Sequence, residues 1–357
     1  MSSRGPDTRL EETLKPGEPV RLYPRVSAEI GGWMLYNENA RCEANISALG
    51  VGTWSMGGTN AYGLSYGDVT DDASIAAIHA LVDGGVNLVD TAPVYGGDHA
   101  SEKVVGAALA QDGYRDKVFL VTKFGNFNDP ATGKRVIDNS YDNVLAECDA
   151  SLERLRTDHI DLYVMHYPDA NTPMSETAKA LNELLESGKI RHVGLSNVNR
   201  EQIDEAASLV RVDAVQLPFS MVNREKEADL IWCHEQGIMT MAYGSMGAGI
   251  LSGAFRELPH FDEKDIRYTF YPYFKDPMFS QIQLLLKDMD VVADRHGRPL
   301  SHVALVWAAQ KEFVTTSLVG VQNVEQAREN CEAFSLVLSD EEMEFLDASI
   351  ERNLAGF

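Results

Sequence analysis

The chain has 357 residues, which is long enough for two domains or for one large α/β barrel. Its 44% hydrophobic and 24% charged residues are ordinary for a globular protein, so a largely disordered chain is excluded. Thirty-one Lys and Arg residues against 54 Asp and Glu residues leave a net charge of −23, which repels polyphosphates. We therefore expect no nucleic-acid partner and no membrane partner.

The sequence also predicts a cytoplasmic protein. No stretch approaches the length of about 18 uncharged apolar residues that a membrane-spanning helix needs. The N-terminal segment lacks the apolar core of a signal peptide. The four cysteines have no CxxC spacing, which favours reduced thiols over disulfides and predicts no metal site; they are Cys42, Cys148, Cys233 and Cys331.

The first 30 residues are polar and hold four of the thirteen prolines, without a sustained apolar period. We interpret them as part of an extension outside the core, either an arm packed on the body or a free tail. The predicted division is an N-terminal extension at 1–45, a barrel at 46–351 and a short C-terminal tail at 352–357.

From residue 46 onwards, short apolar runs alternate with longer amphipathic runs, which is typical of βαβ units and a parallel sheet. The apolar runs predict eight strands, at residues 47–52, 86–90, 117–122, 160–165, 192–195, 213–216, 238–242 and 314–319. The amphipathic runs predict helices at residues 71–83, 100–110, 140–154, 175–187, 199–209, 224–236 and 300–310. Residues 323–330 are expected to form a further short helix. This alternation indicates one α/β domain folded as a closed (β/α)8 TIM barrel.

A doubly wound open sheet is the alternative fold. Such a sheet is expected to carry a GxGxxG turn after its first strand. Residues 50–58 read GVGTWSMGG and do not have that spacing, so the sequence favours the barrel.

Four polar residues lie at or just after the ends of predicted strands, where a barrel places its active site: Asp90, Tyr95, Lys123 and His166. Each alone has a structural explanation, such as a cap or a buried imidazole, but in a barrel they converge. A tyrosine hydroxyl with its ordinary pKa of about 10 is a weak acid, and a neighbouring ammonium would lower that pKa. Asp90 would hold the ammonium, and His166 would donate a hydrogen bond to a carbonyl oxygen.

These residues and their surroundings resemble the aldo-keto reductase superfamily over about residues 46–349. The most specific stretches are GVNLVDTAPVYGGDHASEKVVGAAL at 85–109, DLYVMHYP at 161–168, GKIRHVGLSNV at 188–198 and SLVGVQNVEQARENCEAF at 317–334. The resemblance implies a catalytic tetrad at the four positions above. It also implies hydride transfer from a reduced nicotinamide to a carbonyl carbon, with Tyr95 as the proton donor.

The resemblance further implies a nicotinamide dinucleotide site. Ser196, Asn197 and Gln216 match residues that bind the carboxamide, and Tyr243 matches the aromatic residue that stacks on the nicotinamide ring. Further cofactor residues are implied in the glycine-rich segment after this tyrosine and around the adenosine: Gly244, Ser245, Gly247, Gly249, Leu251, Gly320, Gln322, Gln326, Glu329 and Asn330.

The sequence departs from the family where many relatives place a cation against the 2′-phosphate of NADP. Residues 320–323 read GVQN, and Ala254 stands where other relatives carry a lysine. The missing cation could come from one of three arginines, namely Arg256, Arg267 and Arg328. Family frequency puts NADP(H) first, with NAD(H) as the alternative.

Trp54, Phe124 and Tyr167 are expected to line the substrate pocket, together with the aromatic run at residues 269–274. We expect reduction of small or medium aldehydes, ketones or open-chain sugars. One alternative is a dehydrogenase that oxidises a sugar or a cyclic alcohol. Another, from a different class, is a nucleotide-sensing auxiliary subunit with little turnover. A monomer and a homo-oligomer both remain open.

Overall fold

The computed structural model describes residues 34–58, 69–129, 132–263 and 265–357. The first 30 residues, interpreted above as part of an extension, lie outside the described residues.

The described chain begins with an antiparallel hairpin of β1 (Tyr36–Asn39) and β2 (Ala44–Ser47). The further elements follow in chain order: β3 (Leu49–Gly52), α1 (Asp71–Asp83), β4 (Leu88–Asp90), α2 (Ala100–Leu109), β5 (Phe119–Phe124), β6 (Asn126–Asn128), β7 (Arg135–Ile137), α3 (Tyr141–Leu155), β8 (Ile160–Met165), α4 (Met174–Glu186), β9 (Ile190–Ser196), α5 (Arg200–Ala207), β10 (Ala214–Pro218), α6 (Glu227–Glu235), β11 (Met239–Tyr243), α7 (Ile266–Phe270), α8 (Met278–His296), α9 (Leu300–Ala309), β12 (Thr316–Val319), α10 (Val324–Glu332) and α11 (Asp340–Leu354).

Eight parallel strands close into a barrel in the order β3-β4-β5-β8-β9-β10-β11-β12. Sequence neighbours are also spatial neighbours in this ring, as is usual when each strand returns through a helical crossover. Each of the eight predicted strands overlaps one of these barrel strands. The predicted (β/α)8 barrel is therefore confirmed.

Sequence reasoning missed both hairpins (β1–β2 and β6–β7) and the helices α7, α8 and α11. For two of these helices a signal was present. The buried residues of α8 recur at helical spacing, as at Ile282, Leu285, Leu286 and Met289. A capping box of Ser339 and Glu342 marks the start of α11.

The β1–β2 hairpin packs against the N-terminal end of the barrel. Arg41 donates hydrogen bonds to the carbonyl oxygens of Val212 and Gln236 at 2.7 and 2.9 Å. Asn37 Nδ2 donates to the carbonyl oxygen of Thr315 at 2.7 Å. The predicted boundary after residue 45 falls inside β2. The described part of the predicted extension, residues 34–45, is therefore an arm packed on the barrel.

The lower half of the barrel interior is apolar. Its side chains include Ile46 from β2 and Leu88, Val121 and Leu162 from the barrel strands, all of them fully buried. Ile46 thus closes the bottom of the barrel from outside the ring of strands. This layer supports the polar residues above it.

Replacing Ile46 by alanine is expected to lower the free energy of unfolding by about 2–5 kcal/mol, because it leaves a cavity in a packed interior. Urea denaturation measures the change. Glu38→Ala, at an exposed position of the same hairpin, is the control and should stay within about 0.5 kcal/mol. Equal effects of the two substitutions would show that the hairpin is not part of the barrel's cooperative unit.

Glu147 of α3 supports the turn between β5 and β6. Its Oε2 accepts hydrogen bonds from the Gly125 nitrogen at 2.6 Å and from Asn143 Nδ2 at 3.3 Å. Burial raises the pKa of the Glu147 carboxyl to about 7; the Gly125 hydrogen bond lowers this pKa and the Glu102 charge raises it. The fold therefore favours the neutral carboxyl.

Because the folded pKa of Glu147 lies above the ordinary value of 4.5, the stability that this carboxyl contributes is lost as the pH rises from about 4.5 through 7. Glu147→Gln keeps the acceptor and removes the charge. Its stability gain over the parent should grow from near zero at pH 4.5 to up to about 3 kcal/mol at pH 8.5, measured by urea unfolding. The exposed Glu153→Gln on the same helix is the control; a gain from Glu147→Gln that did not change with pH would contradict this account.

Candidate active site

A buried ion pair lies at the C-terminal mouth of the barrel. Lys123 Nζ donates to both carboxylate oxygens of Asp90, at 2.8 and 2.7 Å, and to the carbonyl oxygen of Thr91 at 2.9 Å. Gln216 Nε2 donates to Asp90 Oδ1 at 2.7 Å. The side chains of Lys123 and Asp90 are 0% and 4% exposed. Burial lowers the pKa of Lys123, and the Asp90 charge opposes that change.

Tyr95 lies over this ion pair. Its ring centroid is 4.9 Å from Lys123 Nζ, and its ring meets His166 edge-on at a centroid distance of 5.8 Å. Burial, followed by the Asp90 charge, raises the pKa of the Tyr95 hydroxyl well above its ordinary value. The expectation that Lys123 brings this pKa down is wrong for this structure, because burial and the Asp90 charge raise it.

His166 follows β8 and is held from the β6–β7 hairpin. Its Nδ1 lies 3.3 Å from Asn126 Nδ2, and Arg135 Nε donates to Asn126 Oδ1 at 2.8 Å. A guanidinium can only donate, so this contact assigns the NH2 group of Asn126 to the side facing His166. His166 Nδ1 then accepts, and Nε2 carries the hydrogen. Burial, Lys123 and Arg135 hold the pKa of His166 well below its ordinary value, so the ring is a neutral donor.

A cluster of amides and hydroxyls adjoins His166. Asn197 Nδ2 donates to the His166 carbonyl oxygen at 2.9 Å, and the Tyr243 hydroxyl donates to Asn197 Oδ1 at 2.9 Å. Ser196 Oγ donates to the Gln216 carbonyl oxygen at 2.9 Å. These groups offer both donors and acceptors, which suits a carboxamide ligand.

The backbone after β11 curls along the cleft. Four of its residues have positive φ angles, of 76°, 55°, 57° and 91°: Gly244, Gly247, Ala248 and Gly249. Glycines let such a segment approach a pyrophosphate closely. Opposite lies the start of α10, where the Asn323 side chain accepts a hydrogen bond from the Gln326 nitrogen at 2.9 Å. The donor set and this cradle fit a nicotinamide dinucleotide.

A cleft of about 1880 Å³ connects these groups. It is lined by Asp90, Tyr95 and His166 of the predicted tetrad, whereas Lys123 lies beneath Asp90. Sixteen further predicted residues line it: Trp54, Tyr167, Ser196, Asn197, Gln216, Tyr243, Gly244, Ser245, Gly247, Gly249, Gly320, Gln322, Gln326, Glu329, Asn330 and Arg267.

Phe124 and Leu251 do not reach the cleft. Phe124 is 0% exposed and packs on Tyr163 at a ring distance of 4.8 Å. It follows Lys123 in β5, so strand alternation turns it outward to the helices, and it is not a pocket residue. The Leu251 side chain is 0% exposed in the core behind the glycine-rich segment.

The aromatic run at 269–274 divides between the cleft and the core. Phe270, Tyr271 and Tyr273 line the cleft. The Phe270 ring meets Trp54 edge-on at 6.2 Å, which gives this side of the cleft an aromatic wall. Phe274 instead packs in the core.

The three arginines considered for a 2′-phosphate differ in position. Arg256 donates to both carboxylate oxygens of Asp290, at 3.0 and 2.6 Å, and does not line the cleft. Arg267 lines the cleft, and its Nε donates to Asp265 Oδ1 at 2.8 Å. Arg328 is exposed on α10 and outside the cleft lining.

Sequence reasoning assigned neither Asn126 nor Arg135 a contact with His166. They lie on facing strands of the β6–β7 hairpin, beside His166. A signal was present, because NFN at 126–128 and RVI at 135–137 flank DPATG, a turn-rich segment typical of a hairpin.

The four cysteines are free thiols, as predicted. Among the described residues, no three His, Cys, Asp or Glu side chains are grouped so that they could hold a metal ion. In the same part of the chain, no helix combines the length and the apolar character that crossing a bilayer requires.

The profile of the Aldo/keto reductase family matches residues 48–351. The aldo-keto reductase YhdN of Bacillus subtilis is 32% identical over 324 residues, which cover 90% of this chain and 95% of the relative. The aldo-keto reductase yakc [NADP(+)] of Schizosaccharomyces pombe is 32% identical over 279 residues, covering 77% and 82%. The NADH-specific methylglyoxal reductase of Escherichia coli is 31% identical over 325 residues, covering 88% and 96%.

Among solved structures, the glycerol dehydrogenase of Gluconobacter oxydans is similar with a TM-score of 0.81 and 30% identity, covering 90% of this chain and 97% of that one. The family match thus spans the whole barrel, and these relatives align over most of their own length. The chain therefore belongs to the aldo/keto reductase family and is an NAD(P)H-dependent oxidoreductase.

Proposed function

We propose that this protein reduces small or medium aldehydes, ketones or open-chain sugars to alcohols, with Tyr95 as the general acid. The observation that carries the proposal is the position of Tyr95 in the cleft, directly over the buried Asp90–Lys123 pair and edge-on to His166. A phenol, an ammonium and an imidazole around one space suit the protonation of a carbonyl oxygen.

In this reaction the carbonyl carbon gains a hydride and the carbonyl oxygen gains a proton. The reduced cofactor, when bound, supplies the hydride from its nicotinamide C4. His166 Nε2 donates a hydrogen bond to the carbonyl oxygen and orients it, and the Tyr95 hydroxyl gives its proton to that oxygen. The raised pKa of Tyr95 keeps the hydroxyl protonated at neutral pH, so that it carries the proton that the carbonyl oxygen receives.

We assign the carboxamide to the cluster of Ser196, Asn197 and Gln216, and the pyrophosphate to the segment at 244–249. Tyr243 lines the cleft with its hydroxyl tied to Asn197, which leaves its ring face for the nicotinamide. NADP(H) is the proposed cofactor, with NAD(H) as the alternative; the relatives named above include an NADP(+) enzyme and an NADH-specific one.

The oxidative direction is the second candidate. It is supported by the similarity to the glycerol dehydrogenase structure. In that direction Tyr95 would act as the base that accepts the alcohol proton, while the alcohol carbon would lose its hydride to the oxidised cofactor.

Tyr95→Phe removes the proposed acid and keeps the ring. We expect kcat/KM for an activated aryl aldehyde with NADPH or NADH to fall at least about a hundredfold. The absorbance of the reduced nicotinamide measures the rate. NADPH affinity, measured by intrinsic fluorescence, should not change. Tyr114→Phe, which removes a hydroxyl bonded to Asp83 outside the cleft lining, is the control. An undiminished rate in Tyr95→Phe would remove this residue from its role.

Asn126 is proposed as a positioning residue that keeps the hydrogen of His166 on Nε2. Asn126→Asp replaces the donor at Nδ1 by an acceptor, which should move the hydrogen to Nδ1. We expect kcat/KM to fall by about 10- to 100-fold, and nitrogen NMR of His166 to report the changed tautomer. Asn182→Asp on α4, whose amide bonds the Leu209 carbonyl, is the control. A loss of activity with an unchanged tautomer would contradict this role.

A further inference from the structure

The cations that line the cleft differ in their partners. Four of them lie in its wall: Arg135, Arg224, Lys226 and Arg267. Three pair with carboxylates: Arg224 with Glu227 and Glu351, Lys226 with Asp229, and Arg267 with Asp265. Arg135 is the lining cation that has no ion pair with any described residue.

The Arg135 side chain is nevertheless held in place. Its Nε donates to Asn126 Oδ1 at 2.8 Å, and its Cζ lies 4.2 Å from the centroid of the Tyr167 ring. Nε is thus engaged, while the two terminal nitrogens make no hydrogen bond to the rest of the described chain. A guanidinium fixed on one side and open on the other is arranged to bind an oxyanion through two parallel hydrogen bonds.

Arg135 lies close to the proposed chemistry. The Tyr167 ring that carries the guanidinium stacks on the His166 ring at a centroid distance of 5.1 Å. Asn126 forms a second link, because its amide lies between Arg135 and His166 Nδ1. Two contacts therefore separate the guanidinium from the imidazole. The guanidinium can reach a group that lies a few bonds from a carbonyl carbon bound beside His166.

The position of Arg135 separates it from the proposed cofactor site. It comes from the β6–β7 hairpin that follows β5, whereas the glycine-rich segment follows β11. Three barrel strands lie between β5 and β11 in either direction around the ring. The guanidinium thus faces the substrate side of the cleft.

We infer that the substrate is a carbonyl compound with an anionic group, a carboxylate or a phosphate, and that Arg135 binds this group and sets the specificity. This inference rests on the proposed function. With a net charge of −23 the protein repels anions at long range, so an anionic substrate needs a local cation. A neutral substrate makes no use of one.

The test compares kcat/KM for matched anionic and neutral aldehydes with NADPH and NADH: succinic semialdehyde against butanal, and glyceraldehyde 3-phosphate against glyceraldehyde. The full-length parent should prefer the anionic member of at least one pair by about tenfold or more. The pair that shows the preference identifies the anionic group of the substrate as a carboxylate or as a phosphate. Arg135→Gln should lower kcat/KM for that anionic substrate about 10- to 100-fold more than for its neutral partner, mainly through KM.

Lys134→Gln is the matched control, since Lys134 precedes Arg135 on the same hairpin, is exposed and does not line the cleft. It should leave both substrates unchanged, and Arg135→Lys should keep part of the anionic preference. An equal loss for both substrates in Arg135→Gln would overturn the inference and indicate a role through Asn126 and His166. Equal rates of the parent on both members of each pair would overturn it too, with the proposed function intact. No turnover of any aldehyde would overturn both.

Discussion

The buried ion pair of Asp90 and Lys123 is the interaction on which the site depends. Both charges have left water, so each requires the other; removing one partner of such a pair typically costs about 3–5 kcal/mol, because the remaining charge is left uncompensated. The Thr91 carbonyl accepts a further hydrogen bond from Lys123, and the Gln216 amide donates one to Asp90. The pair therefore forms a fixed base for Tyr95 and connects it, through Gln216, to the proposed carboxamide site.

The two-residue period of the barrel strands explains why this polar layer lies on an apolar one. Leu88 and Val121 point into the lower interior of the barrel. Two residues further along the same strands stand Asp90 and Lys123. Because side chains two apart share a face of a strand, the charged layer must stack directly on the apolar layer. The apolar layer excludes water from the space below the charged layer, and the cleft opens above it.

The electrostatics of the cleft differ from those of the whole protein. The whole chain carries a net charge of −23, whereas three of the four cations that line the cleft are paired with carboxylates. Within the cleft, burial keeps Tyr95 protonated and His166 neutral, so the proposed acid and hydrogen-bond donor are both in the forms that carbonyl reduction needs. Three charged residues thus lie near the reacting groups: Asp90, Lys123 and Arg135. The charges of Asp90 and Lys123 cancel each other.

The sequence by itself determined the barrel and the strand ends that carry Asp90, Lys123 and His166, because strand period and helix alternation are local properties. It also held the reason why Phe124 turns away from the cleft, since that residue is adjacent to Lys123 in one strand. Only the tertiary structure decided the pKa of Tyr95 and the tautomer of His166. Both depend on burial and on long-range contacts, such as that between Asn126 of the hairpin and His166, which are 40 positions apart in the chain. The packing of loops creates these contacts, and no local sequence pattern encodes that packing.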